Sequence, residues 1–289
     1  MIPKPIIIDI SEWQDPRQIN YDQLAANIDG VIVRVQYGSN YIDKHYQTHI
    51  KELQKRNVPV AVYAWVRGTS KADMQQEAQD FYQRAQKFHP TFWWLDVEEQ
   101  SMQDMRGGCE AYREKLKDLG AKKVGVYIAN HLYAQFNLAT EKFDGVWLPT
   151  YGKNTGQYQG ARPTTTNSYD IHQYTSKGKL NGYNGDLDLN QIVRRDLFYF
   201  FRQNHQIPNK ENNKDVEDIE MKTITTTATK VKLRSSPKTG NNVIAELAKG
   251  TEIKINNIVF GDGFVWGVQP RSNGNKGYID IGKSVAWVK

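Results

Sequence analysis

Two carboxylates end an apolar strand in the segment Phe92–Glu98. Asp96 and Glu98 lie two residues apart, so on an extended strand both side chains point to the same face. Like charges held close together raise the pKa of one member, which keeps a carboxylic acid protonated near neutral pH. The pair therefore suggests acid–base chemistry. Taken alone, it is explained more simply by solvated acids at a strand end or by a helix cap at Asp96.

Two other strand ends also carry acids. The run Ile6–Ile8 ends in Asp9, and the segment Gly185–Asn190 presents Asp186 and Asp188. If these strands end at one face of a barrel, the acids converge there. Clustered buried charge lowers the stability of the fold, so a structural role does not explain the arrangement and a functional role is favoured. The set suits glycoside hydrolysis, which needs a protonated acid at the leaving oxygen and a second carboxylate on the anomeric side.

Other chemistries have less support in the sequence. The six histidines are scattered; His45 and His49 share a helical spacing, but with no third ligand evident we expect them on a solvated face. The single cysteine, Cys109, excludes a disulfide framework, and we expect an inert, partly buried thiol. Serine-hydrolase, phosphate-loop and dinucleotide motifs are missing from the sequence. We therefore expect no metal and no cofactor.

Residues 1–203 alternate short apolar strands with helical patterns, which predicts an α/β fold with a parallel sheet, an incomplete TIM-like barrel. Ser70 and Asp43 resemble helix N-caps, and Gly120 resembles a helix stop. After Gly152 the helical patterns cease until an amphipathic segment near residues 191–203. The predicted strands are 6–10, 31–35, 60–65, 92–98, 124–129 and 146–151, and the predicted helices are 21–27, 43–56, 71–88, 102–119 and 130–138.

The C-terminal third differs in composition. Residues 204–221 are polar and almost devoid of core residues, which predicts a linker. Residues 222–289 show short alternating strands separated by turn signals, as in a small all-β barrel. This segment has 11 basic and 4 acidic residues, a net charge of +7, whereas residues 1–221 have 27 and 28, a net of −1. The basic module indicates a polyanionic partner, either nucleic acid or an anionic cell wall.

Four ordered motifs in residues 5–203 resemble family 25 glycoside hydrolases, the muramidases common in phage endolysins. The chain departs from the family pattern at Pro149, where alanine is usual, and at His172, where tryptophan is usual. The motifs are Asp9-Ile10-Ser11-Glu12-Trp13-Gln14, Trp94-Leu95-Asp96-Val97-Glu98, Trp147-Leu148-Pro149-Thr150-Tyr151-Gly152, and His172-Gln173-Tyr174-Thr175-Ser176 followed by Asp186-Leu187-Asp188-Leu189-Asn190.

The resemblance implies a distorted barrel of about five helices and eight strands that cleaves the bond between N-acetylmuramic acid and N-acetylglucosamine. It implies Glu98 as the general acid and Asp96 as the group that orients the substrate N-acetyl group. Asp9 and Asp188 would line the site and tune the pKa of the pair, with Asp188 matching the family motif better than Asp186. Four aromatic residues near strand ends either contact sugar or pack beneath the site: Tyr63, Tyr127, Trp147 and Tyr151.

Residues 223–289 resemble a bacterial SH3-like (SH3b) wall-binding domain. The resemblance implies binding of the stem or cross-bridge peptide of peptidoglycan, for which the candidates are Phe264, Trp266 and Tyr278. In a domain this small the same aromatic residues are also needed for the core.

Together these features predict a phage endolysin that lyses Gram-positive hosts. No signal peptide and no membrane-spanning segment are evident, so we expect synthesis in the host cytoplasm and release to the wall through a holin. Met221 lies where a second start would yield a binding-domain-only partner. There are two alternatives: a non-catalytic wall-binding protein built on an inactive barrel, and a nucleic-acid-binding protein. The basic charge is dispersed and no motif for stacking on bases is found, so we expect no nucleic-acid partner.

Overall fold

The computed structural model describes residues 2–165, 167–201, 222–261, 264–271, 275–281 and 285–287. The chain divides into two compact units, residues 1–207 and 208–289. The predicted linker, residues 204–221, lies outside the described residues. Within the described ranges, no helix combines the length and the apolar character that crossing a membrane requires.

The first unit is a mixed α/β structure built around one sheet of nine strands. Its strands are β1 (Ile7–Ile10), β2 (Gly30–Tyr37), β3 (Tyr41–Ile42), β4 (Val60–Trp65), β5 (Trp93–Val97), β6 (Val124–Ile128), β7 (Gly145–Pro149), β8 (Ile171–Leu180) and β9 (Tyr183–Ile192). Its α-helices are α1 (Tyr21–Ala25), α2 (Tyr46–Gln54), α3 (Lys71–Ala85), α4 (Met105–Asp118), α5 (Tyr133–Phe136) and α6 (Leu197–Phe201).

Eight of these strands form a closed ring. Parallel pairing runs from β1 through β2, β4, β5, β6 and β7 to β8, and β9 closes the ring by antiparallel pairing with both β8 and β1. The predicted α/β barrel of about eight strands is confirmed, and it is incomplete only in its helices, of which the described residues of this unit have six rather than about five. The β8–β9 hairpin takes the place of strand–helix units, because an antiparallel strand needs no helical crossover.

Local sequence explains most helix ends, with one exception. Ser70 caps α3 by accepting the backbone N–H of Asp73 at 3.2 Å, and Gly120 follows α4 with a φ of +107°, which suits glycine. The cap predicted at Asp43 is wrong, because α2 begins at Tyr46. Asp43 is instead buried and accepts the Arg34 guanidinium at 3.1 Å.

Aromatic residues fill the barrel interior and its amino-terminal end. Trp94 stacks on Phe92 with ring centroids 4.5 Å apart. Gly125 makes room for it, since a Cβ there would lie 2.3 Å from the Trp94 ring. The helix predicted near residues 191–203 is shorter, because β9 continues to Ile192 before α6 begins. Phe200 of α6 packs against Phe92 at 5.4 Å and joins this interior cluster.

We expect α6 to stabilise the barrel through Phe200. Phe200→Ala should lower the free energy of unfolding by about 3–5 kcal/mol, because a fully buried ring is replaced by a cavity. Phe198 lies on the same helix with 38% of its surface exposed, so Phe198→Ala should cost less than about 1 kcal/mol. Urea denaturation of both variants measures the difference, and equal losses would contradict the packing described.

The described residues of the second unit contain strands and no helix. Its strands are β10 (Lys222–Thr226), β11 (Val231–Arg234), β12 (Val243–Leu247), β13 (Glu252–Ile255), β14 (Asn257–Gly261), β15 (Phe264–Pro270), β16 (Lys276–Asp280) and β17 (Val285–Trp287). They form two antiparallel sheets around a core that includes Ile224, Leu233, Ile253 and Ile279. This strand content agrees with the prediction, and an SH3-like identity stays a prediction.

Candidate active site

Three strands bring four carboxylates together at one end of the barrel. Asp9 of β1 lies directly opposite Asp188 of β9 in the antiparallel register. Asp96 lies near the end of β5, parallel to β1 in the same ring, and Glu98 follows it. The charges of Asp9 and Glu98 act on Asp96 and Asp188, so the four groups form one electrostatic cluster. The structure thus brings Asp9, Asp96, Glu98 and Asp188 together, and their catalytic roles stay a prediction.

Asp96 and Glu98 form a hydrogen-bonded pair on one face of the strand. Burial, together with the charges of Glu98 and Asp9, raises the pKa of Asp96 well above its ordinary value. Burial and the charge of Asp9 raise the pKa of Glu98 to about 7. Glu98 therefore holds a proton near neutral pH, as a general acid requires. Glu99 points away and pairs with Arg67 at 2.8 Å.

Asp9 is 5% exposed and is held by two amides. The Gln173 amide nitrogen donates to both Asp9 oxygens, at 2.9 and 3.1 Å, and the Asn190 amide nitrogen donates to Oδ1 at 2.8 Å. Burial raises the pKa of Asp9 to about 6, while the two amides lower it. Both amides lie within the quoted motifs, but sequence reasoning did not identify them as site residues. The available signal is a polar side chain on an otherwise buried strand.

Asp188 and Asp186 differ sharply in surroundings. Burial and the charges of Asp9 and Glu98 raise the pKa of Asp188 to about 9. Asp186 is exposed and pairs with Lys179 at 2.9 Å, which holds its pKa below the ordinary value. Asp188 is therefore part of the buried cluster, whereas Asp186 is exposed, although its charge also raises the pKa of Asp188.

The four aromatic residues predicted either to contact sugar or to pack beneath the site lie beside the cluster. Tyr63 and Tyr127 are buried, and Tyr151 is half-buried with its hydroxyl 2.7 Å from Gln173. Trp147 is only 2% exposed, so sugar stacking on its ring is not compatible with this structure. Its indole N–H donates instead to Asn190 at 2.8 Å. Sugar contact by the three tyrosines stays a prediction.

Arg34 is a basic residue that acts on the carboxylate cluster and that sequence reasoning missed. It is buried and pairs with Glu12 at 3.0 Å and Asp43 at 3.1 Å. Its charge lowers the pKa of Asp96, opposing the stronger effect of burial. The sequence signal that could have identified it is a single arginine within the otherwise apolar run of β2, because a buried arginine needs acidic partners.

The histidines and the cysteine lie outside the cluster. His49 is fully buried and hydrogen-bonds to the Tyr21 hydroxyl at 2.7 Å, so the solvated position predicted for it is wrong; burial lowers its pKa to about 4. Cys109 is fully rather than partly buried, and burial raises its pKa to about 12, which makes the thiol inert. Within the described residues, no group of three or more His, Cys, Asp or Glu could hold a metal ion.

The second unit has a groove of about 210 Å³ between β11 and β15. Phe264 is 44% exposed and lines it, whereas Trp266 lines it from the core and is almost fully buried. The Arg234 guanidinium lies 5.9 Å from the centre of the Trp266 ring. Tyr278 is half-buried on β16, opposite Arg234 in the register. Of the three predicted wall-binding residues, Phe264 is the most accessible.

The raised pKa of Asp188 predicts that the free energy of unfolding decreases as pH rises. The folded protein keeps this proton up to about pH 9, whereas the unfolded chain loses it near pH 4, so stability falls as pH rises between these values. Asp188→Asn should therefore raise the free energy of unfolding at pH 8 by ~1–3 kcal/mol and have little effect at pH 4. Urea titrations at both pH values test this. Asp186→Asn is the control, and equal effects of the two variants would contradict it.

Comparison with known proteins supports one family. Residues 8–183 match the model described as Glycosyl hydrolases family 25. The solved structure of GHIP, described as a glycosyl hydrolase 25 and virulence factor of Streptococcus pneumoniae, is 45% identical, with a TM-score of 0.66 over 68% of this chain and 93% of that chain. The catalytic domain of endolysin ply40, from bacteriophage P40 of Listeria monocytogenes, is 27% identical, with a TM-score of 0.60 over 64% and 91%.

A more distant structure shares the fold. The bacterial lysozyme of Streptomyces coelicolor is 18% identical, with a TM-score of 0.53 over 68% of this chain and 96% of that chain. Among curated proteins, none is similar enough to count as a match.

Proposed function

The chain belongs to glycosyl hydrolase family 25, and on that premise we propose that it is a muramidase that cleaves the β-1,4 bond between N-acetylmuramic acid and N-acetylglucosamine in peptidoglycan. The observation that carries the proposal is the Asp96–Glu98 pair, in which burial and the charge of Asp9 raise the pKa of Glu98 to about 7. A carboxylic acid protonated near neutral pH, beside further carboxylates, meets the requirement of glycoside hydrolysis.

Each carboxylate has a role in this proposal. Glu98 protonates the leaving oxygen. Asp96 orients the acetamido group of the substrate, and its buried Oδ1 has no hydrogen-bond partner among the described residues, so it is open to an N–H donor from the ligand. Asp9 and Asp188 line the site, and the charge of Asp9 raises the pKa of both members of the pair.

Mass spectrometry of digested peptidoglycan tests the bond assignment. Purified cell wall treated with the protein should yield fragments whose new reducing ends are N-acetylmuramic acid. New reducing ends at N-acetylglucosamine would contradict a muramidase, and no new reducing ends would support the inactive-barrel alternative. Intact Asp9, Asp96, Glu98 and Asp188 in one site argue against that alternative.

The second unit is proposed to bind the wall through stem or cross-bridge peptides. The net charge of +7 over residues 222–289 and the groove beside the exposed Phe264 support this. Co-sedimentation of the full chain with purified wall tests it. Phe264→Ala should weaken binding, and unchanged binding would contradict the groove as the contact surface.

We further propose that the protein acts as a phage endolysin that is released to the wall through a holin. The 27% identity to a phage endolysin domain supports this origin. A binding-domain-only product starting at Met221, which lies outside the described residues, is part of the proposal. Intact-mass analysis of the expressed gene should show a second species starting at Met221, and a single species would remove the idea.

A further inference from the structure

We propose that Gln173 and Asn190 are positioning residues that place the negative charge of the site on Asp9 and thereby leave the proton on Glu98. This inference rests on the proposed role of Glu98 as the acid. Each amide is itself held by a second layer of donors, so the charge distribution among the carboxylates is set from outside the cluster.

The orientation of Asn190 is determined by Trp147. The indole N–H can only donate, and it donates to the Asn190 amide oxygen at 2.8 Å. The amide nitrogen of Asn190 must then face the other way, where it donates to Asp9 Oδ1 at 2.8 Å. Reversing the amide would set two donors against each other at Trp147 and two acceptors against each other at Asp9. Trp147 therefore fixes Asp9 Oδ1 as an acceptor.

The orientation of Gln173 is determined in the same way by two phenols. The hydroxyls of Tyr127 and Tyr151 donate to its amide oxygen at 3.0 and 2.7 Å. Burial raises the pKa of both hydroxyls, so they remain protonated donors. The Gln173 nitrogen then donates to both oxygens of Asp9. Hydrogen bonds of this kind favour the ionised form of a carboxylate.

Asp9 is therefore the carboxylate best supplied with donors in the cluster. Asp188 receives one backbone hydrogen bond that lowers its pKa, and Asp96 and Glu98 bond to each other. The pKa is raised at all four carboxylates, to about 6 for Asp9, about 7 for Glu98 and about 9 for Asp188, and well above its ordinary value for Asp96. Asp9 thus ionises before Glu98 and Asp188 as pH rises, and its charge then helps to hold the proton on both. Besides Asp9, the titratable and charged groups that act electrostatically within the site are Asp96, Glu98, Asp186, Asp188, Tyr63, Tyr127, Tyr151 and Arg34.

Removing the Gln173 amide should leave the proton on Asp9 and the negative charge on Glu98, the reverse of the wild type. In Gln173→Met, a side chain of similar length without donors, buried Asp9 keeps its proton to higher pH. Glu98 then no longer faces a charged Asp9 and loses its own proton earlier. We expect kcat near pH 7 to fall about fivefold, because a titration about one pH unit lower leaves about a tenth rather than about half of Glu98 protonated at that pH. KM should stay within about twofold, because the substrate contacts remain.

The test is a direct titration of Glu98 that does not depend on hydrolysis. In protein labelled with ¹³C at glutamate carboxyls, the Glu98 resonance should titrate near pH 7 in the wild type and about one pH unit lower in Gln173→Met. Gln191→Met is the matched control, since this amide lies next to Asn190 but bonds to His172. The alkaline limb of the kcat–pH profile should move with the NMR value.

A double-mutant cycle separates charge placement from packing. In an Asp9→Asn background Glu98 should already titrate at the lower pH, and adding Gln173→Met should shift it no further. A Gln173→Met variant with reduced activity but an unchanged Glu98 titration would show a merely structural role and overturn the proposal. If instead the Glu98 titration moves as expected while the activity of Glu98→Gln equals that of the wild type, the positioning inference stands and the proposed acid is wrong.

Discussion

Glu98→Gln should lower kcat on purified peptidoglycan by about 10²–10⁴-fold while KM stays within a few fold. The substitution keeps the shape and the hydrogen-bonding capacity of the side chain but removes the transferable proton. Release of new reducing ends, followed over substrate concentration, measures both constants. Glu99→Gln is the control: Glu99 lies next in the chain but pairs with Arg67 and accepts the Trp65 indole N–H at 3.0 Å, so its activity should be unchanged.

The pH dependence gives this prediction a second readout. Glu98 holds its proton below about pH 7 and loses it above that value, so wild-type activity should fall as pH rises through about 7. Glutamine does not titrate in this range, and the small residual activity of Glu98→Gln should lack that alkaline limb. A variant that retains wild-type rates, or that retains the limb at about pH 7, would show that another group is the acid.

Asp96→Asn should lower kcat by about 10²–10³-fold, which is the effect of removing one preorganised electrostatic group from a closed site. Asp96 is buried, and its Oδ1 has no hydrogen-bond partner among the described residues, so we expect this oxygen to accept the acetamido N–H of the substrate. Asparagine preserves the volume but cannot ionise, so it cannot develop the negative charge that would strengthen this contact when the substrate binds.

A substrate comparison makes the Asp96 prediction specific. On peptidoglycan with intact N-acetyl groups the variant should lose most of its rate, whereas on chemically de-N-acetylated glycan wild type and variant should be similarly slow. Asp186→Asn, an exposed acid paired with Lys179, serves as the control on both substrates. A variant equally impaired relative to wild type on both substrates would show that Asp96 does not act through the acetamido group.

The stability prediction at Asp188 and the activity predictions at Glu98 and Asp96 share one physical origin. Burying several carboxylates together makes every charge in the cluster more costly, and this cost raises their pKa values. The same cost lowers stability at neutral and alkaline pH. We therefore expect neutralising substitutions in the cluster to stabilise the fold while removing activity, a trade common at functional sites.

Much of the first unit was predictable because its signals are local. Continuous apolar runs such as the one in β2 mark strands covered on both faces, and Ser70 and Gly120 mark helix ends through their own side-chain and backbone properties. Asp43 shows where such signals fail. Its type fits a helix cap, but the buried Arg34 on β2 captures its carboxylate, and a partner nine residues away on another element is not visible in local spacing.

The sequence by itself determined that Asp96 and Glu98 share one face, since side chains alternate along a strand whatever the rest of the chain does. The strand-end position predicted for Asp188 is wrong, because this residue lies within β9. Only the tertiary structure decided how protons are distributed among the four carboxylates. Closure of the ring by β9 brings Asp188 opposite Asp9, and closure by β8 brings the amide of Gln173, 164 residues away in the chain, onto the Asp9 carboxylate. Protonation depends on burial and on through-space charges and donors, and these exist only once the barrel has closed.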